Sequence, residues 1–248
     1  MKNIDDIYTN AIKEAKELMY NQTIKNGAPS WLITMLAVNV GKELAREFYV
    51  DENIVVLTLY LQHLVFDPIT NGEIQKNHPN LSAQYVEDNK LLEKWYIPEN
   101  DRSIILEAIR NHHKKEKSSH LIVEVIKNAE CQKFITIEGA LIWLHELGLR
   151  GYDFDKAKEL VFYKMEQKKS LLTLNEYIIK GNNDTSDIVN MFNDEKKLIE
   201  LKKLHQYGLN KIPFDDAIKK VNINIGRNKN WVFLSKNRLG IDMVRTSS

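Results

Sequence analysis

The sequence predicts a mainly α-helical protein that ends in a small β-hairpin or meander. Apolar residues recur at helical spacing through most of residues 1–206. The gaps between those stretches hold capping and turn residues, among them Ser30, Asp51, Asp67-Pro68 and Gly181-Asn182-Asn183-Asp184. Only near the end does the pattern change to period two, in Val221-Asn222-Ile223-Asn224-Ile225.

Taken in order, Ile4, Ile7, Tyr8, Ala11, Ala15 and Met19 mark an amphipathic helix over 4–20. Asn26-Gly27-Ala28-Pro29 is a loop, and Ser30 suits the N-cap of a second helix that ends near Tyr49. Asp51 and Glu52 favour the start of a third helix through the macrodipole. Ile54, Val55, Val56, Leu57, Leu59 and Leu61 make it apolar on every side, which places it at the centre of a bundle. Pro68 restricts Asp67 and stops it. A loop over 69–77 precedes helices near 79–95, 99–113, 119–131 and 135–148. A long pattern follows over 153–179, and another helix covers 185–206 after the break at Gly181. Residues 207–248 then form a basic extension whose strands need the body or a partner to pack on.

The composition is that of a globular protein: 248 residues, 43% hydrophobic and 28% charged. The lone Cys131 forms no intramolecular disulfide and reads as a small buried hydrophobe in a reducing compartment. The first residues lack a signal-peptide core, and the longest apolar run, Ile54 to Val65, is too short to span a bilayer. A cytoplasmic location with no membrane contact is expected. Charge is uneven: from Lys196 onward twelve Lys/Arg face four Asp/Glu, a local +8 that leaves −7 on residues 1–195. Such a tail suits an anionic partner or neutralises its own acidic body. Lys219, Lys220, Arg227, Lys229, Lys236 and Arg238 interleave with Trp231 and Phe233, a pattern that can bind single-stranded nucleic acid.

The seven histidines carry most of the functional signal. An apolar helix runs into Gln62-His63; His78-Pro79-Asn80-Leu81-Ser82-Ala83 follows; then come Ile109-Arg110-Asn111-His112-His113 and Asn128-Ala129-Glu130. This order resembles the HD-domain metal-dependent phosphohydrolases over residues 30–150. In that family an apolar helix ends in a His-Asp pair, and a later His heads a His-x3-Ser-Ala segment. A His or His-His closes another helix, and an Asp-Ala-Asp segment gives the last ligand. The resemblance implies an HD-like helical bundle that binds a divalent metal (Mn, Mg, Fe, Ni or Zn) and hydrolyses a nucleotide or other phosphate ester. Imidazoles and carboxylates suit such a metal, which lowers the pKa of water and offsets phosphoryl charge.

Carried over by position, the resemblance makes His63, His78, His112, His113 and Glu130 metal ligands, with His63 and Glu130 also catalytic, and His78 and Arg110 phosphate-binding. The chain departs from the pattern at several points. No His stands near 33–35, Gln62 replaces the His of the His-Asp pair, and Asn128-Ala129-Glu130 replaces Asp-Ala-Asp. Asp67 lies four residues after His63, so a continuing helix would put both on one face and add a ligand. Which of His112 and His113 faces inward stays open. So do two alternatives to an enzyme: an inactive HD-fold module that binds a nucleotide or nucleic acid, with or without metal, and a scaffold that assembles through its C-terminal hairpin. His120, His145 and His205 read as structural or solvated.

Overall fold

A computed structural model describes residues 3–26, 30–66 and 72–223. Among the described residues there are twelve helices and no strand. They are α1 (Ile4–Asn26), α2 (Trp31–Glu47), α3 (Glu52–Leu61), α4 (Gly72–Asp88), α5 (Leu91–Lys94) and α6 (Glu99–Asn111). The second half holds α7 (Leu121–Ile135), α8 (Ile137–Leu149), α9 (Phe154–Lys169), α10 (Asn175–Asn193), α11 (Glu195–Leu209) and α12 (Phe214–Ile218). None of these helices is long and apolar enough to cross a membrane.

Side-chain caps set several helix starts by satisfying first-turn N–H groups. Asp51 accepts from Asn53 and Ile54, Thr136 from Gly139, and Asp153 from Lys156. Asp194 accepts from Lys196 and Lys197. Ser30 holds the N-cap position of α2 without a side-chain cap bond.

Two helices form the centre. In α3 every residue from Ile54 to Leu61 is buried. In α7 burial is unbroken from Val123 to Lys133, although Glu124, Lys127, Asn128, Glu130, Gln132 and Lys133 are all polar. A helix buried all round is normally apolar. The polar residues of α7 therefore need partners on neighbouring helices, and that requirement builds the site. Val125, Ile126 and Ala129 of α7 belong to one apolar cluster with α1–α6; Cys131 and Ile135 belong to a second with α8–α12.

The α8–α11 crossing depends on two glycines. A Cβ on Gly208 would lie 2.3 Å from the His145 carbonyl oxygen, and one on Gly148 would lie 2.5 Å from that of His205. The backbones approach too closely there for any side chain.

The structure corrects several boundaries. The third helix stops at Leu61, where Gln62 donates its N–H to Thr58 O, and not at Asp67. No shared helical face therefore links His63 to Asp67, and Asp67 lies outside the described residues. The stretch read as a loop over 69–77 is already helical from Gly72, and Pro79 sits inside α4. The long pattern over 153–179 divides between α9 and α10. Gly181 is buried within α10, because its missing Cβ makes room for Leu172 and Ile135. The true break falls at Asp194, which caps α11.

Most of the expected C-terminal hairpin, residues 224–248, lies outside the described residues. Its first residues, 221–223, are irregular: Asn222 N–H donates to Glu200, and Val221 and Ile223 pack on the second cluster.

Candidate metal centre

Four histidines meet where α3, α4 and α6 converge. The ligand atoms of His63, His78, His112 and His113 all lie within 4.8 Å of one another. Their ring centroids are 4.2–6.3 Å apart, and His63 stacks on His78 at 5.0 Å. Phe66 closes one side, edge-on to both His63 and His78. His63, His78 and His112 are buried, while the side chain of His113 keeps 32% exposure. Both His112 and His113 thus enter the cluster, one as the C-cap of α6 and the other just beyond it.

Hydrogen bonds fix two of the rings for ligation. His112 Nδ1 lies 2.6 Å from Ile109 O, so it carries the proton and leaves a lone pair on Nε2. That Nε2 in turn meets His78 Nε2 at 3.1 Å. Lys168 Nζ lies 2.9 Å from His113 Nε2. A lysine ammonium only donates, so His113 Nε2 accepts and its lone pair also faces inward.

Glu130 stands beside the quartet. Its Oε1 is 3.7 Å from His63 Nε2 and 3.8 Å from His113 Nε2. It accepts from Lys168 Nζ at 3.2 Å, while Oε2 accepts from Gln62 Nε2 and Lys133 Nζ, both at 2.6 Å. The early stop of α3 explains this geometry. Consecutive residues on a helix diverge, so only the turn after Leu61 lets Gln62 and His63 both reach Glu130. Gln62 Oε1 is buried with no hydrogen-bond partner among the described residues, an acceptor that bound water or ligand would satisfy.

Burial dominates the electrostatics. It holds His63 and His112 well below the usual imidazole range, against the attraction of Glu130. Burial, then the Lys168 charge, pushes His113 down to about 3. The imidazoles are therefore neutral near pH 7, the form that ligates metal. Burial opposes the charge on Glu130, but Lys133 and Lys168, with His63 and His113, outweigh it and hold the carboxyl well below its ordinary value. Burial, then the neighbouring Lys168, lowers Lys164 to about 7. Burial raises the Cys131 thiol to about 11, which suits an inert core residue.

The donor chemistry fits a metal. Four imidazoles suit Zn, Fe or Ni, and less well the hard, oxygen-seeking Mg.

Arg110, expected to bind phosphate, and the polar residues read as structural lie outside the cluster. Arg110 pairs with Glu87 on a partly exposed edge between α4 and α6. Asn128 ties α7 to the α9–α10 connection: its Oδ1 accepts from the N–H groups of Thr173 and Leu174, and its Nδ2 donates to Glu124 O and Thr173 Oγ1. His120 pairs with Glu107 at 2.9 Å. His145 is buried against Ile212 O, and His205 is buried edge-on to Phe154.

Sequence reasoning missed Lys133, Lys164 and Lys168. The available signal was their spacing, since Lys133 follows Glu130 by three residues on a buried helix and Lys164 and Lys168 lie one turn apart. No protein-family model, curated protein or solved structure matches the chain.

Proposed function

We propose that this chain is a divergent HD-type hydrolase that holds a divalent transition metal in the four-histidine site and acts on a phosphate ester. The observation that carries the reading is the convergence of His63, His78, His112 and His113 from separate elements onto one point. Four imidazoles have no packing reason to displace apolar side chains from a core, and burying them costs stability that ligation offsets. A metal bound there would lower the pKa of water and offset charge on a phosphoryl oxygen.

The residues divide the work. The inward lone pairs of His112 and His113 hold the metal, with His63 and His78 completing the set. Glu130, held ionised by its lysines, is a weak proton acceptor at neutral pH; it positions Lys133 and Lys168. Those lysines face the negative charge of the substrate. The order of motifs over residues 30–150 supports the HD-type assignment.

A second reading, an inactive binding module, draws support from Lys168, which already occupies the His113 lone pair. One experiment separates them. Protein purified without chelator or nickel affinity is analysed for metal, soaked with Zn, Fe or Mn, and assayed on phosphomonoesters and nucleotides. The hydrolase reading expects near-stoichiometric metal, lost in His63→Ala/His112→Ala, and turnover that follows metal content. Metal without turnover supports the binding module, and no retained metal overturns the metal-centred reading.

A further inference from the structure

Three lysine side chains converge on a single ring beside the histidines. Lys133, Lys164 and Lys168 place their Nζ atoms 5.2, 5.2 and 5.7 Å from the centroid of Phe134. Phe134 and Lys133 come from α7, and Lys164 and Lys168 from adjacent turns of α9. Lys133 and Lys168 are almost wholly buried and share one carboxylate, Glu130. Lys164 donates to the neutral Gln167 and has no carboxylate within 4.0 Å among the described residues.

Three lysines thus gather around one carboxylate, two of them in contact with it. Lysines are almost never buried unless paired, and like charges one turn apart repel. Packing does not require this arrangement, because apolar side chains would fill the same space without that cost. An anion would remove it. Phe134, Lys164 and His113 are half-buried, so the group reaches solvent at that edge.

We infer that Lys133, Lys164 and Lys168, grouped around Phe134 and Glu130, form an anion subsite that takes a dianionic tetrahedral oxyanion, such as the terminal phosphate of a monoester, and binds it without metal. The inference deepens the phosphate-ester reading and rests on it for the identity of the natural ligand, but not for the site itself. The three lysines outnumber the one carboxylate they gather around, and a dianion offsets that positive charge more fully than a monoanionic diester does. Lys168 links the two halves: it reaches His113 on one side and Phe134 on the other. The subsite thereby places a phosphoryl group next to the histidine quartet.

The test uses the full-length chain stripped of metal at constant ionic strength, with sulfate and inorganic phosphate as probes and nitrate as the monoanion control. Calorimetry and thermal unfolding are read together. Sulfate and phosphate should bind and raise the unfolding temperature, and nitrate should do neither. Lys164→Met should weaken sulfate binding about tenfold, the loss expected for one charge-assisted hydrogen bond. This variant should fold, since Lys164 is half-buried and makes no ion pair. Lys164→Arg should retain binding, and Lys180→Met on α10 should match the parent.

Equal effects of sulfate and nitrate, or parental sulfate binding by Lys164→Met, would overturn the inference. Sulfate binding in a protein that neither retains metal nor turns over phosphate esters would remove the hydrolase reading and leave the subsite. Metal retention with turnover, but no dianion binding, would do the reverse.

Discussion

Lys168 Nζ donates to His113 Nε2 at 2.9 Å, so a buried ammonium holds the same lone pair that a metal would use. A metal ion and Lys168 would exclude each other at His113, and Lys168 adds positive charge beside the proposed metal site. Lys168→Met should therefore tighten Zn binding, by about tenfold if the competing bond is an ordinary charge-assisted one. Calorimetric titration in anion-free buffer reads the effect. Weaker Zn binding in the variant would mean that Lys168 supports the metal site instead of competing for it.

Among the described residues, Glu130 is the only carboxylate that the buried Lys133 and Lys168 share. Removing one partner of a buried ion pair leaves an uncompensated charge, which costs about 3–5 kcal/mol. Glu130→Ala should lose that much stability in urea unfolding, and Glu130→Gln, which keeps an acceptor and the shape, should lose less. Equal losses would show that the carboxylate charge contributes little.

The metal-free protein should lose stability in acid. Burial lowers His63, His112 and His113 in the folded state, and their unfolded values lie near 6.5, so the unfolded chain binds more protons below that pH. The depressed carboxyl of Glu130 acts in the same direction at lower pH. The stability these groups contribute is fully present above pH 6.5 and is lost as pH falls toward the His113 value of about 3. Urea midpoints measured from pH 7 to pH 4 should fall steadily, and Zn bound by the neutral imidazoles of the folded state should raise the midpoint at pH 7. A midpoint that stays flat between pH 6.5 and 5 would contradict the burial of neutral imidazoles.

Asn128 stands where the HD-type pattern places an Asp, yet its amide makes three hydrogen bonds to the α9–α10 connection and a fourth to Glu124 O within α7. Asn128→Asp keeps both accepted bonds and loses both donated ones, which leaves Glu124 O and Thr173 Oγ1 short of a donor. It should cost about 1–3 kcal/mol and gain no metal affinity. Tighter metal binding in this variant would place position 128 in the metal site.

The sequence by itself determined the helical class, the apolar α3 and its acidic start at Asp51, and the order of the four histidines that meet. Those features rest on interactions within a few residues, such as an Asp accepting from the next N–H groups, and can be read from spacing. The helix breaks were less legible. Proline and glycine usually mark ends, yet Pro79 and Gly181 lie inside helices because tertiary packing outweighs their local cost.

Only the tertiary structure decided the surroundings of the histidines. It brought both His112 and His113 inward, since one caps α6 and the other lies in the turn beyond. It left Arg110 with Glu87 on the outside. It also brought Lys168 from α9 onto Glu130, 38 residues away in the chain. A lysine in a sequence reads as a solvent-facing residue, because burying its charge is costly without a partner. Whether a partner is near depends on how α7 and α9 pack, and no local pattern encodes that.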